Sequence, residues 1–134
     1  MNLSKKRIFL VLFLACLGLT VSAQSISSPD GNITVTFSLT GNGVPTYEIS
    51  YKGKEVIKPS TLGIELAEEH SLMDQFRVNK VSTSTFDETW KPVWGEEKAI
   101  RNHYNEMFVE MEKPSNGRFM NLRFRVYNDG VGFR

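Results

Sequence analysis

The residues best equipped for chemistry gather in one short stretch. Between Asp87 and Glu97 the chain carries Asp87, Glu88, Glu96 and Glu97 together with both of its tryptophans, Trp90 and Trp94. Three uses compete. Clustered carboxyl groups can do catalytic work, one giving a proton while another takes one. Exposed indoles offer flat platforms for sugar rings. Buried indoles anchor an ordered loop, provided each N–H finds a partner. Charged clusters are normally solvated and large aromatics are normally well buried. The expectation is therefore an anchored loop, its indoles buried in this domain or against another one.

The remaining candidates are weaker. His70 and His103 are the only histidines and stand 33 residues apart. With no cysteine partner and no H-E-x-x-H spacing, neither makes a metal motif. No D-x-D-x-D-G loop of the calcium-binding kind occurs. Arg123, Arg125 and Arg134 alternate along the end of the chain, which marks a solvated or interdomain face.

The elements that must position these residues follow a leader. Lys5, Lys6 and Arg7 precede an apolar run from Ile8 to Leu19, and Val21-Ser22-Ala23 ends it. A basic start, a short apolar stretch and small residues before a cleavage point make a helical secretory signal peptide, residues 1–23. A membrane span needs about 20 apolar residues, more than this run supplies. Cys16 is no lipidation site, because Phe13-Leu14-Ala15 fits the aliphatic-led pattern poorly. Cleavage after Ala23 removes the single cysteine and three basic residues, taking the formal charge from +1 to −2. The mature chain, residues 24–134, has no disulfide to rely on. It also has no basic footprint for nucleic acid or anionic membrane, and no transmembrane segment.

Periodicity in the mature chain reads mostly as strand. Ile33, Val35, Phe37 and Leu39 alternate with Thr34, Thr36 and Ser38, the pattern of a half-buried strand. Tyr47, Ile49 and Tyr51 repeat it; Leu62, Ile64 and Leu66 make a further run, and Leu122, Phe124 and Val126 another. Turn signals divide the runs at Pro29-Asp30-Gly31, Gly41-Asn42-Gly43, Lys52-Gly53-Lys54, Pro114-Ser115-Asn116-Gly117 and Asn128-Asp129-Gly130. Ser25–Ser28 reads as a serine-rich join. The expected fold is all-β, an antiparallel β-sandwich. One segment dissents: Ile100, Tyr104, Met107, Phe108 and Met111 fall on one helical face, and pattern alone favours an amphipathic helix there. Val131-Gly132-Phe133-Arg134 begins a returning strand and stops. A strand edge left open in this way invites aggregation, so we expect a sandwich incomplete at its C-terminus.

The stretches "SPDGNITVTF", "PTYEISYKGKEVIKPSTLGIEL", "DETWKPVWGEEKAIRNHYNE" and "LRFRVYNDGVGFR", in this order and spacing, resemble the N-terminal domain of glycoside hydrolase family 97. The resemblance spans essentially the whole mature chain. Its most specific parts are the W-x-x-x-W-G-E element with the following R-N-x-Y-N-E, and the final hairpin. It implies a galactose-mutarotase-like super-sandwich, and a strand rather than a helix from about Tyr104 onward. It implies an exported enzyme of the Gram-negative periplasm acting on α-linked oligosaccharides, either an α-glucosidase or an α-galactosidase. By the same resemblance, catalysis belongs to a (β/α)8 barrel outside this sequence, and calcium sits at the full enzyme's active site. None of that calcium is expected to be held by this segment alone, and no catalytic residue or metal ligand is assigned to it. Trp90, Trp94, Glu96, Asn105 and Arg134 are the candidate interdomain or carbohydrate contacts. The competing reading is a free-standing secreted carbohydrate-binding sandwich.

Overall fold

A computed structural model describes residues 23–67 and 71–134; the expected signal peptide up to residue 22, and His70, lie outside the described residues. Eight strands and no helix are formed among the described residues: β1 (Gln24–Ser27), β2 (Ile33–Leu39), β3 (Pro45–Tyr51), β4 (Lys54–Thr61), β5 (Arg77–Trp90), β6 (Ile100–Lys113), β7 (Arg118–Val126) and β8 (Val131–Phe133). Within each sheet consecutive strands pair antiparallel, giving one sheet β1-β2-β3-β4 and a second β5-β6-β7-β8. The expected all-β sandwich is the observed architecture.

The alternating runs go where their periodicity sends them. Ile33, Val35 and Phe37 of β2 face inward and are buried, as are Leu122, Phe124 and Val126 of β7. Lys52 and Gly53 both take positive φ (50° and 75°), the two-residue turn whose twist suits a hairpin. The core joins β2 to Met107, Val109 and Met111 of β6 and to the inward face of β7. Burying a side chain the size of Phe124 completely contributes roughly 1.5–3 kcal/mol.

The strand that the resemblance implies from about Tyr104 onward is present and begins earlier, at Ile100, so the helical pattern is a strand along its whole length, with Met107, Val109 and Met111 alternately buried. The residues on the other face that mimic a helical stripe, Tyr104 and Phe108, are covered by arginine side chains instead of by a core. The Leu62–Leu66 run contributes only an isolated bridge, Ile64 to Leu72. The serine-rich join is β1. Ser25 and Ser27 hydrogen-bond Thr36 and Thr34 across to β2 at 3.0 and 2.9 Å, and Ile26 is buried.

Strand β5 has no clean alternation for a physical reason. The register against β6 shifts between Val78 and Lys80, a bulge that places one extra residue in β5. Val78 and Val81, three apart, therefore both pack on the core. The crossing from β4 to β5 is held at two points. Gly43 (φ 70°) lies so close to the crossing that an added Cβ would sit 2.5 Å from the Phe76 carbonyl oxygen, and Phe76 N donates to Gly43 O at 3.0 Å. Buried Lys113 donates to Ser71 O at 3.2 Å and to Asp74 at 3.1 Å.

Candidate functional site

Strands β5 and β6 are the longest, and β7 covers only part of them. β7 pairs with β6 from Asn105 to Lys113, whereas Ile100–Tyr104 pair with Phe86–Trp90 alone. Five residue pairs thus run on as a two-stranded arm of about 17 Å. A lone ribbon is marginal in water, and this one is braced on both faces. On one face Arg101 grips Asp87 with two hydrogen bonds of 2.8 and 2.7 Å. The hydrogen bond from Arg101, with the nearby charges of Arg101 and His103, holds the Asp87 carboxyl below its ordinary range. On the other face Phe86 stacks on Tyr104 at 5.2 Å, and Tyr104 meets Tyr127 at 5.1 Å.

The tip of the arm is the tryptophan stretch. Trp90 ends β5 and is 48% exposed, while Trp94, in the loop of residues 91–99, is 88% exposed. The expectation that these indoles are buried inside this domain is therefore corrected: no inward face is within reach of a tip that projects past the sandwich. Phe86, Trp90 and Ile100 lie on one face, and Val93 and Trp94 extend the apolar surface into the loop. Glu88, Glu96 and Glu97 lie exposed around it.

The same outer face of the second sheet carries an ionic cluster at the base of the arm. Glu106 is 8% exposed and accepts from Arg123 Nη1 and, at 2.8 Å, from Arg125 Nε. Each guanidinium is also stacked on a ring, Arg123 over Phe108 at 4.5 Å and Arg125 over Tyr104 at 4.7 Å. Burial pushes the Glu106 carboxyl up. The Arg125 hydrogen bond and the two positive charges outweigh it, and the net shift is downward. The Glu106 hydrogen bond raises Arg125 in turn. Arg134 pairs with Arg123 through both backbone bonds, so it lies on this face as well. Together with Arg123, Arg125 and Tyr127 it lines a shallow cavity of about 170 Å³.

Asn105 stands apart from the other expected contacts. Its amide donates to Ser27 O at 2.8 Å, and its oxygen accepts from Thr85 at 2.8 Å. It ties the second sheet to β1 of the first. Trp90, Trp94 and Glu96 cluster at the arm tip, Arg134 lies at the cavity, and Asn105 sits between the sheets. The Glu106 cluster escaped sequence reasoning because its members meet only through the β6–β7 register. Arg123 and Arg125 alternating beside a Glu-bearing strand was the one available signal.

Chemically, the arrangement fixes geometry. A general acid for glycoside hydrolysis needs a raised pKa; Asp87 and Glu106 are both shifted downward by cations. Calcium takes six to eight oxygens, and no group of three or more acidic, histidine or cysteine side chains converges among the described residues. The carboxylates of Asp30, Asp87, Glu106 and Glu112 are each engaged by donors within the chain. With their oxygens engaged by these partners, the four carboxylates do not fit a calcium ion.

Known proteins share this fold. The family profile described as glycosyl-hydrolase 97 N-terminal matches residues 26–134. A retaining α-galactosidase of Bacteroides thetaiotaomicron is 30% identical over 133 residues, covering 97% of this chain and 19% of that enzyme. A glycoside hydrolase family 97 enzyme from Pseudoalteromonas sp., solved with panose and with acarbose, superposes with a TM-score of 0.77 at 33% identity, over 82% of this chain and 17% of that one. A β-arabinopyranosidase, 20% identical with a TM-score of 0.73, shares the fold. The chain thus spans about a fifth of the length of these relatives. With its eight-stranded sandwich matched from residue 26 onward, this chain belongs to the N-terminal domain family of the family 97 glycoside hydrolases.

Proposed function

We propose that this chain is the non-catalytic N-terminal domain of an exported, calcium-dependent α-glycosidase of the Gram-negative periplasm, and that it packs on a catalytic (β/α)8 barrel and helps to complete its active site. The substrate is an α-linked oligosaccharide, cleaved by α-glucosidase or α-galactosidase chemistry. The observation that carries the packing role is the projecting arm. A braced ribbon ending in Trp90, Val93 and Trp94 presents an apolar surface that nothing among the described residues covers, and such surfaces mark contacts with other protein. The Asp87–Arg101 pair and the aromatic stack keep the tip in place before docking, which lowers the ordering cost of the contact. Residues 1–23 support export through their signal-peptide pattern. The two catalytic carboxyl groups would come from the barrel, and the domain's own acidic calcium ligand from outside residues 1–134.

A second reading, a free carbohydrate-binding module, rests on the same exposed indoles. One experiment separates the two. The mature chain is titrated with panose while tryptophan fluorescence is followed, and it is assayed on aryl α-glucosides and α-galactosides with calcium. The packing role predicts no turnover and no saturable fluorescence change. In the complete enzyme, Trp94→Ala should then lower kcat/KM or loosen the domain contact. Turnover by the chain alone overturns the proposal. Millimolar or tighter panose binding quenched at Trp94 favours the binding module.

A further inference from the structure

The cavity between β7 and β8 gathers more positive charge than the fold neutralises. Arg123, Arg125, Tyr127, Gly132, Phe133 and Arg134 line it. Its three arginines share the outer face of the second sheet. Arg125 is paired with Glu106 and Arg123 with Phe108 across β6, and Arg134 is paired with Arg123. Glu106 is the one carboxylate that meets them among the described residues. It offsets one of three charges, and two remain in excess.

The shape of the cavity comes from Gly132. It stands opposite Arg125 in the register and so takes an outward position on β8. Any other residue there would project a side chain beside Arg125 and Arg134. A Cβ built on Gly132 meets nothing within 4 Å. The missing side chain leaves a shallow recess floored by backbone, about 170 Å³ in volume. Drug-sized ligands fill about 300–1,000 Å³, so this recess takes a small group.

The donors around it are held ready. Glu106 occupies Nη1 of Arg123 and Nε of Arg125, which leaves each guanidinium with further N–H groups to donate. Phe108 lies 4.5 Å from Arg123 and Tyr104 4.7 Å from Arg125, each ring against a guanidinium face. Stacking engages the face and leaves the edge for an anion. Groups fixed before a ligand arrives lose little freedom when it binds. Arg123 and Arg125 remain 31% and 37% exposed, so a ligand can reach them from solvent.

Charge and geometry narrow the class of ligand. A guanidinium edge matches a carboxylate with two parallel hydrogen bonds. Doubling the charge of the ligand doubles its attraction to the arginines but quadruples the Born cost of leaving water. A singly charged carboxylate is therefore a better fit than a sulfate or phosphate dianion. Tyr127 adds a ring wall and a hydroxyl donor.

We propose that this recess is a carboxylate-binding site: Arg125 and Arg134 grip one carboxylate above Gly132, Arg123 adds charge and Tyr127 a hydroxyl, and the ligand is a small organic acid or acidic sugar. The site stands independently of any glycosidase activity.

The full chain, labelled with nitrogen isotope for magnetic resonance, tests this. It is titrated at constant ionic strength with acetate, D-glucuronate, D-glucose, chloride and sulfate. Acetate and glucuronate should move the Gly132 amide and the Arg125 and Arg134 Nε–H signals along one saturable curve. Glucose and chloride should leave them in place. Arg134→Gln should weaken acetate binding about tenfold, the worth of one charged hydrogen bond. Gly132→Val fills the recess where no neighbour is within 4 Å. It should weaken binding about as much while the other amide signals keep their dispersion. Shifts produced equally by glucose or chloride overturn the proposal, as do shifts spread evenly over surface lysines and arginines. Tighter binding of sulfate than of acetate overturns the carboxylate assignment, and unchanged binding in either variant overturns the site.

Discussion

Replacing Glu106 with glutamine isolates the ionic cluster with little change of shape. The wild-type carboxylate accepts from two guanidinium groups while almost fully buried. Glutamine keeps one acceptor oxygen, loses the charge, and turns an N–H2 donor toward a cation. Breaking a fully buried ion pair costs about 3–5 kcal/mol. Here Arg123 and Arg125 remain 31% and 37% exposed and can regain water, so that figure must be discounted. A loss of about 1–2 kcal/mol is expected, in line with charged hydrogen bonds. Urea unfolding of the mature chain at neutral pH, followed by far-UV circular dichroism, measures it. The pH dependence supplies a second check. Because the folded carboxyl sits below its unfolded value, its stabilisation is complete above the unfolded pKa, near 4.3. It is lost as pH falls through the folded pKa. The gap between wild type and Glu106→Gln should therefore be constant from neutral pH to about pH 5 and narrow below about pH 4. A variant within 0.3 kcal/mol of wild type at neutral pH (about the additivity error of such measurements) would refute the assignment, as would a gap that does not narrow in acid.

Other substitutions probe the remaining claims. Phe124→Ala empties the centre of the core and should cost about 3–5 kcal/mol, seen as a large drop in the urea midpoint. Gly43→Ala meets both a positive φ and the Phe76 backbone and should cost about 2 kcal/mol or more. Gly53→Ala, with positive φ but open space around it, should cost only about 1 kcal/mol; equal losses at the two sites would show that the crossing is not held at Gly43. Trp94→Ala should leave the stability of the isolated chain within about 0.5 kcal/mol of wild type, because the indole touches little in this domain.

The legible parts of the fold were those where one face is buried and the register regular. β2, β3, β7 and the turns between them announced themselves through alternation. β5 did not, because the bulge near Asn79 breaks the period of two and polar residues occupy both faces of the arm. β6 was ambiguous because both of its faces are covered, one by the core and the other by stacked arginines and aromatic rings. A strand covered on both faces lets apolar residues fall at helical spacing by coincidence. The family resemblance resolved that ambiguity only from Tyr104 onward; the pairing of Ile100–His103 with β5 extended it. β1 was hidden by its serines, which serve as hydroxyl partners for Thr34 and Thr36.

The tryptophan stretch shows what local pattern cannot supply. Its composition fits burial, but burial depends on what stands opposite, and here the stretch sits on an arm that outruns its own sandwich. The ionic locks explain why an arm can project this way. Asp87–Arg101 and the Glu106 cluster are arranged to lower carboxyl pKa values and hold side chains still, the reverse of what proton transfer asks of a catalytic acid. Carboxylates placed in this manner spend their charge on rigidity. That rigidity holds out one apolar surface, the arm tip with exposed Trp90, Val93 and Trp94, in a position suited to another folded body.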